Sequence, residues 1–332
     1  MSKAKDLSNV PTNPSGFRNR IINGAFDVWQ RGTSFSAAGF TADRWLIQTD
    51  GSGATRAITQ QTFTPGNAIT GYESIYHLRY SQSVAGTGAT FNILDQRIED
   101  VRTLAGQTVT VSFWAKAAAN TTIDSSIQQS FGSGGSSEVA GLSSGTLTVT
   151  TSWQRFTYTG TLASISGKTV GANSYAAFRI NFPLNATFTV DIWGVQVERG
   201  SIPNPFEQRP IGMELALCQR YFINIVEPSA TTDFNIPLVR ESATQGVATI
   251  FLPVTMRVRP SLVGSNIGRV VMRDTSFGTS VTSVSGITVS TSGPSLSCIT
   301  LIIGHGSIGG GAVFAEWDIL NTTTNLSFSA EL

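Results

Sequence analysis

Residues 108–117 read TVTVSFWAKA. Val109, Val111, Phe113 and Ala115 alternate with Thr108, Thr110, Ser112 and Lys116, the period of two that marks a half-buried β-strand. The same alternation recurs on both sides of this stretch. WQRFTYTGTL (153–162) puts Phe156 and Tyr158 on one face. YAAFRINF (175–182) does so with Ala176, Phe178, Ile180 and Phe182, and FTVDIWGVQVE (188–198) is a further strand with Gly194 as a bulge or bend. GSGGSSEVAGLSSG (132–145) is expected to be a flexible loop. Regularly spaced short strands with Gly/Ser/Thr turns between them imply a sandwich. The expected fold class is all-β: an N-terminal jelly-roll β-sandwich, a short linking helix and a second C-terminal β-sandwich or barrel.

Composition agrees. Only 13% of the 332 residues are charged and 33 are glycine, so Ser, Thr, Asn and Gln must carry the solubility. A formal net charge of +1 and scattered arginines provide no field for nucleic acid. The lysines are Lys3, Lys5, Lys116 and Lys168. No apolar run reaches the ~18 residues of a membrane span, so membrane insertion is not expected. The N-terminus lacks the apolar segment of a signal peptide, which implies synthesis in a cytoplasm.

Four regions follow along the chain. Residues 1–20 are polar and proline-containing, expected as an extended arm that docks on a neighbour or stays disordered. Residues 21–206 form the jelly roll. Residues 207–227 are linker and helix, reached through GSIPNPFEQRP (200–210); in GMELALCQRYF (212–222), Met213, Leu217 and Tyr221 mark the expected buried stripe, with Glu214 and Arg220 suiting the helix dipole. In this joint Arg209, Glu207 and Glu214 are expected to set the angle between domains. Residues 228–332 return to β-pattern and form the second domain, assigned to assembly.

Catalytic constellations are missing. His77 and His305 are expected in surface or turn positions, and GHGSIGGG (304–311) lacks the Lys-Ser/Thr and the helix of a phosphate loop, leaving a turn. Cys218 and Cys298 read as two buried thiols. The acids of LDQRIED (94–100) and the pair Asp191 and Glu198 are weak evidence for a glycosidase; pairing with Arg97, Arg102 and Arg199 accounts for them. The chain is therefore expected not to be an enzyme.

The order INGAFDVWQRGTSF (22–35), VTVSFWAKA (109–117), the strand opening at Trp153, and TVDIWGVQVE (189–198) resembles carbohydrate-binding modules of the galactose-binding-like jelly roll. The resemblance implies a possible structural calcium at Asp27 and Asp191, and glycan contact through exposed aromatics. The candidates are Trp29, Trp45, Tyr72, Trp114 and Trp153. Trp29 and Trp45 fit the core better; Trp114 and Trp153 fall on the polar phase of their strands, which favours exposure. The longer set RNRIINGAFDVWQRGTSF…TADRW (18–45), VQVERGSIPNPFEQRPIGMELALCQRYF (195–222) and LPVTMRVRPSLV (252–263) resembles a family of bacteriophage tail-fibre and virion proteins. That resemblance implies a structural component of a phage particle, on its tail or capsid surface. Its implied partners are other virion proteins, further copies in a homotrimer, and a host cell-surface glycan. A head or tail decoration subunit without glycan affinity and an accessory module of a polysaccharide depolymerase are the other readings.

Overall fold

The structure, a computed structural model, describes residues 17–66, 69–225, 238–240, 245–265, 270–274, 279–282, 284–289, 296, 298–305, 313–316 and 326–332. It divides into two compact units. The first comprises the chain up to Phe26, Ser36–Ala38 and Ile47–Gln208; the second comprises Asp27–Phe35, Gly39–Leu46 and Arg209–Leu332.

The first unit is a jelly-roll sandwich. Its strands are β1 (Leu46–Thr49), β2 (Thr55–Thr62), β3 (Tyr76–Val84), β4 (Asn92–Glu99), β5 (Thr108–Ala117), β6 (Thr121–Ser130), β7 (Val139–Val149), β8 (Gln154–Thr161), β9 (Tyr175–Asn181) and β10 (Phe188–Arg199). One layer runs β2-β3-β10-β5-β8 and the other β1-β4-β9-β6-β7. The TVTVSFWAKA stretch is β5, and its apolar phase (Val109, Val111, Phe113, Ala115) is fully buried. Facing it from the second layer are Ala176, Phe178 and Ile180 of β9, also fully buried. Phe113 and Phe178 meet edge to face at 6.2 Å, and Ser125 and Tyr158 hydroxyls bond at 2.8 Å. The bond gives both hydroxyls a partner, as a low-dielectric core favours.

β7 occupies Val139–Val149, which takes in the second half of the stretch expected to be a flexible loop. Its Gly and Ser content hid it, but its register against β6 is carried by backbone bonds and broken twice by irregularities. Such bulges let a glycine-rich strand follow a regular neighbour.

Gly194 bulges β10. The register against β5 shifts between Trp193 and Gln196, and Gly194 adopts φ +64°. The bulge resets the alternation. Val190 and Ile192 point inward before it, Val195 and Val197 after it, all with no exposure. Gln196 and Glu198 are thereby turned to the outer side, where the linker covers them. Glu198 accepts from the Asn204 backbone N–H (2.8 Å) and side-chain amide (2.7 Å) and pairs with Arg18 at 3.2 Å, and Gln196 accepts from Glu207 N–H at 2.9 Å.

Residues Arg18 onwards are not a free arm, contrary to the expectation for 1–20. Asn19 Oδ1 accepts from Val197 N–H (3.0 Å) and its Nδ2 donates to Val195 O (3.0 Å), while Arg20 N–H donates to Val197 O at 2.8 Å. Residues 1–16 of the expected arm lie outside the described residues.

In the second unit, helix α1 (Ile211–Gln219) leads to β11 (Phe222–Asn224), which pairs with β20 (Leu326–Ser329), itself paired with β14 (Ser261–Ser265). A larger antiparallel sheet runs β16 (Thr279–Thr282), β15 (Val270–Asp274), β19 (Val313–Glu316), β12 (Leu238–Arg240), β13 (Gln245–Phe251), β18 (Cys298–His305), β17 (Val284–Val289). The expected buried stripe of the helix is corrected: Met213 is 45% exposed, and the buried residues are Glu214 and Cys218, followed by Tyr221. The stripe failed because Arg209 takes Glu214 inward through two bonds of 3.1 Å, overriding hydropathy. The joint divides its ionic work as well: Arg209 and Glu214 bond within the second unit, whereas Glu207 accepts from Arg18 and Asn19 N–H in the first.

The boundary expected for the jelly roll at 21–206 is also corrected, since Asp27–Phe35 and Gly39–Leu46 belong to the second unit. Arg31 and Arg44 explain why. Arg31 pairs with Asp43 (3.0 Å) and Glu331 (3.1 Å) and lies 3.5 Å over Phe222; Arg44 pairs with Glu331 and lies 3.5 Å over Tyr221. Both thiols are free, Cys218 buried and Cys298 half-buried. No described helix is long and apolar enough to cross a membrane.

Gly194 sets the first testable consequence. A Cβ there would lie 2.7 Å from Trp114 Cε3, at a positive φ. Gly194→Ala is expected to destabilise the first unit by about 2–4 kcal/mol. Chemical unfolding followed by tryptophan fluorescence measures it, and a change under about 0.5 kcal/mol would contradict the role given to the bulge.

Candidate functional site: a polar platform on the outer face of the second layer

The apolar phases of β4, β6 and β9 fill the core, so the opposite phases form the outer surface of that layer. Register places them in four rows. Glu99, Tyr175 and Ser130 form one; Arg97, Ala177 and Gln128 the next; Asp95, Arg179 and Ser126 the third; Ile93, Asn181 and Asp124 the last. Ten of these twelve side chains can hydrogen-bond.

Asp95 is the hub. It has no exposure, and Gln48 from β1 donates to it at 2.6 Å. Arg97 and Arg179 approach it at 3.7 and 3.8 Å. Arg179 reaches on to Gln128 and, at 3.4 Å, to Glu138. Asn181 donates to Asp124 at 2.5 Å. Arg97 lies 4.7 Å over the Tyr175 ring, which fixes the plane of the one aromatic on this face of these strands. Neighbours on adjacent strands hold Asp95, Arg97, Gln128, Arg179, Asn181, Asp124 and Tyr175, so this part of the platform is pre-ordered. Its remaining donors and acceptors can serve a hydroxyl-rich ligand without new ordering cost.

The aromatics singled out in the sequence lie on the other layer. Trp114, Trp153 and Tyr72 do come together there, around Trp193 and Phe206. Trp114 is not exposed as its strand phase suggested. It is 8% accessible, lies under Arg155 (4.7 Å) and meets Tyr72 (5.5 Å) and Trp193 (5.4 Å) edge to face. The linker is the reason: Phe206 packs 5.0 Å from Trp193, and its N–H donates to Tyr72 Oη at 2.7 Å. Tyr72 and Trp153 remain half-buried. Trp45 is core with no exposure, and Trp29 is half-buried, stacked on Phe35 at 6.4 Å.

Asp191 is clamped by two cations, with the His77 ring beside it. Arg79 binds it through two bonds (2.7 and 2.9 Å), and Lys116 and His77 each approach it at 3.5 Å. Burial pushes its carboxyl up, but the Arg79 fork and the His77 ring outweigh burial and hold it well below the usual carboxylate range. His77, expected at the surface, is buried on β3. Asp27 belongs to the second unit, where burial, with the Glu214 charge second, pushes its carboxyl up to about 6. Among the described residues neither aspartate sits in a group of three side chains that could hold a metal ion. Of the other acids, Asp100 pairs with Arg102 at 3.3 Å, whereas Arg199 donates to Thr103 O. The side chain of His305 and residues 306–311 of the glycine-rich turn lie outside the described residues.

No protein-family model matches the chain, and no curated protein matches it in sequence. Solved structures similar to it include a CBM4 domain (19% identity, TM-score 0.35), with 54% of this chain and 98% of that one covered. A second is the CBM22-2 xylan-binding domain of Paenibacillus barcinonensis Xyn10C (17%, TM-score 0.33, 49% and 98%). A third is the enzymatically active domain of tailspike protein 4 of bacteriophage CBA120 (18%, TM-score 0.37, 55% of this chain and 21% of that one).

The raised carboxyl of Asp27 makes a pH prediction. The folded chain retains a proton that the unfolded chain releases between pH 3.8 and about 6, so stability falls as pH rises through that window. Asp27→Asn is expected to flatten this dependence and to stabilise the chain at pH 7 by about 1–3 kcal/mol. Thermal unfolding between pH 4 and 7 checks both, and an unchanged slope sinks the assignment.

Proposed function

We propose that the first unit is a non-catalytic glycan-binding module and that the chain is a structural subunit of a phage particle contacting a host surface glycan. The platform carries the binding half of this reading. Ten hydrogen-bonding side chains in register, cross-braced by Asp95, Arg97 and Arg179 and bordered by Tyr175, fit a flat hydroxylated ligand. A few fixed polar groups beside an aromatic ring provide orientation and specificity for such a ligand. The platform's carboxylates are held by arginines and amides, which suits recognition better than proton transfer.

The virion half rests on the resemblance carried by residues 18–45, 195–222 and 252–263. The structure is compatible with a stiff projecting subunit: the VQVERGSIPNPFEQ stretch is bonded along its length to the first unit through Glu198, Gln196 and Arg18. Placement on the tail or capsid surface and assembly as a homotrimer belong to the same proposal.

The test is a glycan array of bacterial surface polysaccharides, followed by titration of any hit. Tyr175→Ala and Arg179→Met are each expected to weaken binding about tenfold or more, at unchanged far-ultraviolet circular dichroism. No binding on the array would favour a decoration subunit without glycan affinity, and polysaccharide cleavage would overturn the non-catalytic reading.

A further inference from the structure

The outer face of the first layer has an open region beside the part that the linker seals. Lys116 of β5 and Arg79 of β3 flank Asp191 of β10 from its two neighbouring strands, in direct register. Arg79 uses a two-bond fork on Asp191, whereas Lys116 touches the same carboxylate at 3.5 Å. One carboxylate thus serves two cations, and a positive charge is left over. Lys116 is the cation free to use it. Its side chain is 32% exposed, and an ammonium has three donors. Its Nζ also lies 5.3 Å from the Trp153 ring.

Trp153 and Phe63 are half-buried rings packed on the sealed cluster, 5.5 Å apart. Trp153 directly precedes β8, the edge strand of its layer, so it borders solvent. Beneath them His77 contacts both rings, at 4.6 and 5.4 Å, and its Nδ1 is buried without a hydrogen-bond partner. Native interiors seldom leave such an atom unmatched.

We infer that this region is a second saccharide site, separate from the platform, and that it takes a sugar carrying a carboxylate. The sugar ring packs on Trp153 and Phe63, and its carboxylate pairs with Lys116. The two faces differ in charge, which separates their ligands. The platform holds Asp95, Glu99, Asp124 and Glu138 against Arg97 and Arg179, an excess of carboxylate that disfavours an anionic sugar. The Trp153 face holds Arg79 and Lys116 against Asp191. An anion is attracted to the second and repelled by the first.

The probe is oligogalacturonate, titrated into the full chain by calorimetry, with its fully methyl-esterified form as the neutral control. The acid form is expected to bind, more weakly as salt is raised because the pair is partly exposed. Esterification, Lys116→Gln and Trp153→Ala are each expected to weaken binding tenfold or more. Lys168→Gln, which removes an exposed positive charge elsewhere on the unit, is expected to change it less than twofold. Should Trp153→Ala shift the thermal transition, Lys116→Gln and the ester decide the matter alone. Absence of oligogalacturonate binding at millimolar concentration overturns the inference, as does equal binding of the ester or full retention by Lys116→Gln. None of these outcomes depends on the platform binding a glycan.

Discussion

The bulge at Gly194 is the constraint on which the first unit turns. β10 lies at the centre of its layer, between β3 and β5, and its sequence changes phase halfway along: Val190 and Ile192 before the glycine, Val195 and Val197 after it. A regular strand would send one pair outward and bury Gln196 and Glu198 in the apolar core, where unpaired polar groups are costly. The bulge keeps all four aliphatic side chains inside. The two polar residues become the anchors that hold the linker and the Arg18–Asn19 segment against the outside of the same layer. The missing Cβ also admits Trp114, and through it the aromatic cluster that Phe206 closes. One backbone irregularity therefore decides which part of this face is sealed and which part stays open at Lys116 and Trp153.

Much of the fold was legible because alternation survives wherever one face is core. TVTVSFWAKA, YAAFRINF and the Gly194 bend could all be read directly. β7 could not, because Val139–Val149 carries Gly and Ser where a strand usually carries branched residues, and pairing with β6 supplied what propensity did not. The helix failed for the opposite reason. Met213 and Leu217 gave a clean apolar spacing, but the ion pair from Arg209 turned Glu214 inward. Periodicity reports hydropathy, and a paired charge can override it.

The candidate site was legible only in retrospect. Its signal was the polar phase of three strands, LDQRIED, IDSSIQQS and YAAFRIN; the alternation of YAAFRIN reports its apolar phase, and the acids of LDQRIED read as isolated ion pairs. Nothing local announces that Asp95, Arg179 and Gln128 share one surface, since they lie far apart in sequence and register alone unites them. The aromatics misled in a complementary way. Trp114 sits on a polar phase and still is buried, because a distant segment ending in Phe206 folds over it. Exposure is a tertiary property, and strand phase predicts only which side of the sheet a residue occupies.

The scarcity of charge explains why the ionic groups that do occur are informative. At 13% charged residues, the chain does not spread ions over its surface as a generic solvent coat. It gathers them into shared sets: Arg79 and Lys116 on Asp191, Arg97 and Arg179 on Asp95, Arg31 and Arg44 on Glu331. Each set joins two cations to one carboxylate, and the surroundings decide what that imbalance does. Around Glu331 a second acid, Asp43, accepts from Arg31, and Phe222 and Tyr221 cover the guanidinium planes, so the set is closed and structural. Around Asp95 the further acids Glu138 and Asp124 turn the surplus the other way, into an acceptor-rich surface. Around Asp191 no second carboxylate pairs with these cations among the described residues, both cations are about a third exposed, and the adjoining rings are half-buried. The same motif of two cations on one acid thus serves packing in one unit and leaves, on opposite faces of the other, two surfaces of opposite electrostatic character.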